Sequence, residues 1–312
     1  MVSALKTTDQ TTNLPATPPP YPDQTPALAG LGYRSPGQLV AFAPSTAPLP
    51  DPAAAVLLFD IDGVIRDVGG SYRRALAETV RHYSGWRPDA ATIDSLKTEG
   101  LWNNDWEASL ELLRRRGLGG PGQPPLPAFA DLVEVFSGFY FGGDPAGDPA
   151  DWTGFIGSEP LLVEPPFFSR LTAAGISWGF VSGAEPPSAR YVLEQRLGLH
   201  QPPLIAMGDA PDKPDPTGLL SLADQLVRDR GGPGLGRGAP PVAYLGDTVA
   251  DVVTVVNARR RCPDQRFVAL AVAPPHLHGD GAARTAYEAQ LHAAGADRVL
   301  ASTEAVVEAL SC

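Results

Sequence analysis

Five short, unbroken apolar runs punctuate this chain, and they restrict its fold more than any other feature: residues 56–59 (VLLF), 176–181 (ISWGFV), 204–207 (LIAM), 242–245 (VAYL) and 267–272 (FVALAV). A strand covered on one face alternates apolar with polar residues. A run that does not alternate needs cover on both faces, which parallel strands joined by crossover helices provide. Helical patterns lie between most of the runs, at 165–174, 187–197, 217–228, 248–260 and 284–294. Alternating strand and helix predict an α/β protein built on a doubly wound parallel sheet.

The first run is followed by about a hundred residues with helical periodicity and no convincing strand. One helix is expected over 71–83, with Ser71 as its N-cap and Ala75, Leu76, Thr79, Val80 and Tyr83 on one face. Others are expected over 91–97, 105–116 and 127–141. The block reads as a helical domain inserted into the sheet domain. The expected division is therefore a core formed by 51–66 and 160–312 and an insertion at 67–159. Residues 1–50 hold ten of the 34 prolines and little apolar periodicity, so they read as a largely disordered extension, with LVAFA at 39–43 as a possible strand. The run GGPGLGRGAPP at 231–241 lacks both a preceding strand and a GKS or GKT ending. It reads as a flexible insertion, not a nucleotide loop.

Charge narrows the function classes. Thirty-five acids against 24 Lys and Arg give a formal net charge of −11 over 312 residues. Such a surface disfavours nonspecific binding to nucleic acid or to an anionic membrane. No apolar stretch approaches the length of a spanning helix, and the first residues lack a signal-peptide layout, so a soluble cytoplasmic protein is expected. Cys262 and Cys312 show no metal-ligand or disulfide spacing. No obligate protein partner is evident.

The candidate chemistry sits where the apolar runs end, which is where open α/β sheets bind ligands. VLLF runs into Asp60-Ile61-Asp62-Gly63, and alternation would place both carboxylates on one side if the chain stayed extended. WGFV runs into Ser182-Gly183, a hydroxyl and an amide suited to an anion. VAYLG runs into Asp247, with Asp251 four residues on, spaced to share one cation. Lys213, in DKPDP, follows the third run. Each has a plain alternative, a polar turn for the Asp pair, a strand-end serine, a surface lysine. Their shared placement favours one site.

Taken in order, Asp60-Ile61-Asp62-Gly63-Val64, Ser182, Lys213 in a KPxP context and Gly246-Asp247-Thr248-x-x-Asp251 resemble the four motifs of the haloacid dehalogenase superfamily, over about residues 54–310. The helical insertion directly after the first motif resembles subfamily IA with a C1-type cap. DIDGVIRDVGGSYRRAL and EGLWNNDW further resemble a small, little-characterised group within that subfamily. The resemblance implies a Rossmann-like core and a magnesium-dependent phosphatase acting on a small phosphorylated metabolite. It assigns Asp60 as nucleophile and Asp62 as general acid and base. Ser182, Gly183 and Lys213 become the phosphoryl-binding groups. Asp60, the Asp62 carbonyl and Asp247 become magnesium ligands, with Asp251 a ligand or an orienting neighbour. A phosphomutase would use the same motifs, and a non-catalytic binding protein would not need all four acids.

Substrate choice falls to the insertion. Asn103, Asn104 and Asp105 in EGLWNNDW are candidate contacts to the leaving group, the alternative being that Asn104 or Asp105 N-caps the next helix while Trp102 packs inside. Arg66 and Asp67 are further candidates. Arg114–Arg116 and Arg259–Arg261 read as helix C-termini meeting their own dipoles.

Overall fold

The computed structural model describes residues 56–97, 102 and 104–311. The Pro-rich head, with LVAFA, lies outside them, as do Asn103 and Cys312. The strands β1 (Val56–Phe59), β2 (Ser177–Val181), β3 (Leu204–Ile205), β4 (Val242–Gly246), β5 (Phe267–Val272) and β6 (Arg298–Leu300) form one sheet in the order β3-β2-β1-β4-β5-β6. Every pairing is parallel. The expected fold class therefore holds, with two differences. The LIAM run forms a strand over only two residues, because the chain turns toward Asp209, whose carboxylate accepts from the Ala206 amide. The edge strand β6 was not anticipated: three residues, two of them only half-buried, carry no unbroken apolar run.

Both faces of the sheet are covered, as the unbroken runs require. Leu57 and Phe59 pack with Phe167, Phe168 and Leu171 of α5 (Pro166–Ala173). Val56 and Leu58 pack on the other face with Leu219, Leu222 and Leu226 of α7 (Thr217–Asp229) and with Val252 and Val255 of α8 (Val249–Arg261).

Between β1 and β2 lie α1 (Tyr72–Ser84), α2 (Ala90–Lys97), α3 (Asp105–Arg115) and α4 (Phe129–Tyr140). They close around a separate apolar cluster that includes Leu76, Val80, Leu112, Leu132 and Phe136. The expected N-cap role of Ser71 is not observed. Its hydroxyl makes no cap bond and is drawn instead to Glu159, 2.5 Å away. The 231–241 segment is tied down: Asp224 accepts from the Leu235 amide at 2.9 Å, and Gln265 from the Gly236 amide at 3.0 Å. Arg259 leaves its helix dipole for the Phe267 carbonyl and Asp297. The remaining helices are α6 (Pro186–Arg190), continued by a π-helical turn over Tyr191–Arg196, α9 (Gly281–Ala294) and α10 (Ala305–Ser311).

Candidate active site

Four of the sequence-predicted residues, Asp60, Lys213, Asp247 and Asp251, meet beyond the carboxyl ends of β1 and β4. Asp60, the first residue after β1, is buried and accepts from Lys213 Nζ at 2.8 Å. Lys213 also donates to Asp251 Oδ1, at 2.5 Å. Ligand atoms of Asp60, Asp247 and Asp251 all lie within 4.8 Å of one another. The surface-lysine alternative fails, since the Lys213 side chain is only 16% exposed and ion-paired to two carboxylates.

The carboxylates are not equivalent. Asp251 spends Oδ2 on the Thr248 amide and hydroxyl, closing a capping box at the start of α8. It spends Oδ1 on Lys213 and on Tyr244 Oη, 3.1 Å away. Burial works against its charge, but Lys213 and these hydrogen bonds outweigh that, and its carboxyl sits below the ordinary value. For Asp247, burial, then the charges of Asp251 and Asp60, outweigh the opposing Lys213 and push its carboxyl well above the usual range. Asp60 is pushed up to about 6, by burial first, with Lys213 opposing. Three acids against one ammonium leave a deficit of positive charge, and an all-oxygen donor set suits a hard divalent cation such as Mg²⁺. Asp60 accepts one hydrogen bond on each oxygen, from the Ile61 amide at 2.8 Å and from Lys213, which leaves lone pairs on both for a cation. Asp251, whose oxygens face Lys213, Tyr244 and Thr248, also lies within reach of a shared cation.

The approach of the first motif to Asp247 depends on Gly63. Its φ is +73°, and a Cβ built there would lie 1.9 Å from Asp247 Oδ2. Only glycine permits that contact. Ser182 and Gly183 follow β2, where the Ser182 hydroxyl accepts from the Ala184 amide at 3.1 Å. Gly183 lines the cleft above.

The same-side expectation for Asp62 assumes an extended chain, and the chain does not stay extended past Asp60. The chain bends at Ile61, whose carbonyl collects the amides of Val64, Ile65 and Arg66, so strand alternation ends at Asp60. Asp62 lines the cleft, and its Oδ1 is held by Arg66 Nε at 2.7 Å. Arg66 itself, expected as a substrate contact, is fully buried and does not line the cleft. Asp67 does.

That cleft has a volume of about 460 Å³ and runs from Asp62, Gly63 and Asp247 up to Asn104, Asp105 and Trp106 of the helical bundle. Asn104 is the N-cap of α3, accepting from the amides of Trp106 and Glu107 at 2.9 and 3.2 Å. Capping and cleft lining thus coincide in one residue. The bundle also contributes Tyr72 and Phe136, and the core Glu185 and Met207.

Tyr244 was missed from sequence. It sits inside the apolar run of β4, donates to the Val181 carbonyl at 2.7 Å and lies 3.3 Å from Lys213 Nζ. The available signal was its type: a tyrosine buried in a central strand needs a partner for its hydroxyl. Tyr287, which donates to the Asp247 carbonyl at 3.0 Å, carried no comparable signal.

No family model matches the chain. A curated relative, an imidazoleglycerol-phosphate dehydratase from Phytophthora nicotianae, is 28% identical over 199 residues, 63% of this chain and 40% of that protein. The chain thus spans about two fifths of that relative's length. Among solved structures, a phosphatase from Thermococcus thioreducens superposes with a TM-score of 0.50 at 22% identity, covering 68% of this chain and 91% of its own. A HAD family hydrolase from Deinococcus radiodurans, solved with bound phosphate and sodium, gives a TM-score of 0.52 at 20% identity, covering 83% of this chain and 97% of its own. The chain has the haloacid dehalogenase fold.

Proposed function

We propose that this chain, carrying the haloacid dehalogenase fold, is a Mg²⁺-dependent phosphoric monoester hydrolase acting on a small phosphorylated metabolite in the cytoplasm. The observation that carries the reading is the cluster beneath the cleft, which Asp247 lines: a carboxylate at the end of β1, ion-paired to Lys213 and within 4.8 Å of Asp247 and Asp251. A buried carboxylate, an ammonium and two further carboxylates are the residue types that phosphoryl transfer to a carboxylate calls for.

In this reading Asp60 attacks phosphorus. The Asp60 O–P bond forms, the ester P–O bond breaks, and Asp62 gives its proton to the departing alkoxide. Water then attacks the aspartyl-phosphate, the Asp60 O–P bond breaks, and Asp62 takes up the water proton. The balance is one ester plus one water giving one alcohol plus one phosphate. Lys213, the Ser182 hydroxyl and the Gly183 amide bind the phosphoryl oxygens and stabilise their charge in the transition state. Asp60, Asp247 and the Asp62 carbonyl would hold Mg²⁺, which supplies charge neutralisation between nucleophile and phosphate dianion. Residues 67–159 form the cap domain, and Asn103, Asn104 and Asp105 contact the leaving group, an amino-alcohol or sugar moiety. Residues 51–66 and 160–312 form the core domain. The dehydratase activity named for the sequence relative is not carried over, since the match spans well under half of that protein.

The test is release of inorganic phosphate from a panel of phosphate monoesters with Mg²⁺. Release from at least one member supports the reading. No release from any member, or isomerisation of a sugar phosphate without release, overturns it, the latter in favour of a mutase.

A further inference from the structure

A second buried polar cluster lies where the chain leaves the sheet for the helical bundle and where it returns, and Arg66 is its centre. The Arg66 side chain has no exposed surface. Its Nε donates to Asp62 Oδ1 at 2.7 Å and its Nη2 to Ser188 Oγ at 2.7 Å, while Nη1 pairs with Glu159 Oε2 at 2.9 Å. Glu159 is itself buried and accepts from Ser71 Oγ at 2.5 Å and Tyr140 Oη at 3.2 Å. Tyr140 Oη in turn lies 3.1 Å from Ser188 Oγ. The backbone seals the junction on both sides. Asp67 donates to the Pro160 carbonyl at 2.9 Å, and Leu162 to the Ile65 carbonyl at 2.8 Å.

Fold stability alone does not account for a guanidinium here. Burying one is costly, pairing barely recovers the cost, and apolar residues of similar volume often do as well. What an arginine adds is direction. Its planar fork has fixed angles between donors, so anchoring the two terminal nitrogens fixes the Nε–H vector as well. Glu159 and Ser188 supply the anchors. The third donor is spent on Asp62, which is 29% exposed and faces the cleft. Asp62 Oδ2 has no protein partner among the described residues and is left for the cleft.

We propose that Arg66 is a positioning residue for Asp62: anchored on Glu159 and Ser188, it holds the Asp62 carboxylate in the orientation from which Oδ2 exchanges a proton with leaving group and water. The proposal rests on the phosphatase reading, in which Asp62 is the general acid and base. It assigns the buried network a task in the chemistry as well as in the fold.

The test uses two substrates of different leaving-group basicity and follows pre-steady-state and steady-state kinetics of wild type, Arg66→Lys, Glu159→Gln and Asp62→Asn with Mg²⁺. A nitrophenolate leaves without an acid, so phosphorylation of Asp60 stays fast when Asp62 is misplaced. Hydrolysis of the aspartyl-phosphate still needs the base. Arg66→Lys should therefore give a burst of about one nitrophenolate per site followed by turnover slowed about 10–100-fold, and alkyl phosphates should lose turnover by a similar factor without a burst. Asp62→Asn should show the same pattern more strongly. A residue that only stabilised the fold would lower burst amplitude and both turnovers together. If Arg66→Lys does not fold, Glu159→Gln, which preserves shape while releasing one anchor, decides: a burst with slowed turnover supports the proposal, and wild-type kinetics overturn it. Wild-type kinetics in folded Arg66→Lys also overturn it. Absence of turnover in the wild-type protein would instead reject the phosphatase reading, so the two failures are distinguishable.

Discussion

The floor of the cleft and the junction beneath the helical bundle are both buried clusters of charge, yet they are balanced in opposite ways. At the junction, Arg66 faces Glu159 and Asp62, and the hydroxyls of Ser71, Tyr140 and Ser188 supply the remaining hydrogen bonds. The protein itself supplies the ion-pair partners there, although burial still holds the Glu159 carboxyl above its ordinary value. At the floor, three carboxylates converge on a single ammonium, and two of the three carboxyls are pushed above their ordinary range. A cluster that supplies its own partners holds a shape. One that does not stores the demand for a ligand, here a divalent cation and a phosphate.

Breaking the floor should have the largest effect. Asp60→Asn removes the nucleophile, so turnover should fall by more than about 10³-fold while the fold survives. Metal-free melting temperature should not drop, because the change removes one of three mutually repelling carboxylates. Retention of a few per cent of wild-type turnover by a folded Asp60→Asn protein would contradict the assignment.

The cation demand can be read without turnover. In the metal-free protein the Asp60 carboxyl is raised from 3.8 to about 6. Between those values the folded state binds more protons than the unfolded one, so this group makes stability fall as pH rises through the window. Mg²⁺ needs the carboxylates ionised, so the stabilisation it gives should grow as pH rises through about 6. At roughly 100 times its dissociation constant, the cation should raise the melting temperature by about 5–10 °C near neutral pH. Near pH 5 the gain should be smaller. A Mg²⁺ shift that is absent, or larger at pH 5, would refute the site.

A smaller change sharpens the comparison from the side of geometry. Gly63→Ala forces φ of +73° on a residue with a Cβ and drives that Cβ into Asp247. A loss of about 1–3 kcal/mol in stability is expected, with weakened Mg²⁺ binding. Binding measured by calorimetry should fall even at temperatures where the variant is fully folded. Unchanged Mg²⁺ affinity would mean that Gly63 shapes the turn and not the site.

The same contrast explains what the sequence made legible. Asp60, Ser182 and Asp247 each follow an unbroken apolar run, so the strands that predict the sheet also mark the floor. β6 escaped because a short, half-buried edge strand carries little apolar signal, while β3 is marked by its run and is only shorter than it. The junction escaped for a different reason. Ser71, Tyr140, Glu159 and Ser188 come from four separate segments, and each has an ordinary local explanation, as Ser71 does as an N-cap. Only the three-dimensional meeting of the two linkers gives Arg66 its partners. Long-range hydrogen bonding has no period, and periodicity is what sequence reading detects best.

The smallest expected effect lies at the upper rim, where structure and recognition overlap in Asn104. Its side-chain oxygen accepts from the amides of Trp106 and Glu107, and the residue also lines the cleft. Asn104→Ala should cost about 1 kcal/mol, the usual value of an N-cap, or about 2–4 °C in melting temperature. Asn104→Asp keeps the acceptor and should recover that stability, since a negative charge also suits a helix N-terminus. What Asp cannot replace is the amide N–H₂ as a donor. If Asn104 contacts the leaving group, the Asp variant should be as stable as wild type yet slower on the preferred phosphate ester, with an aryl phosphate little affected. Asp105→Ala, which leaves the cap intact, should discriminate in the same direction. Equal rates of wild type and Asn104→Asp on both substrates would leave Asn104 as the cap of α3 and nothing more.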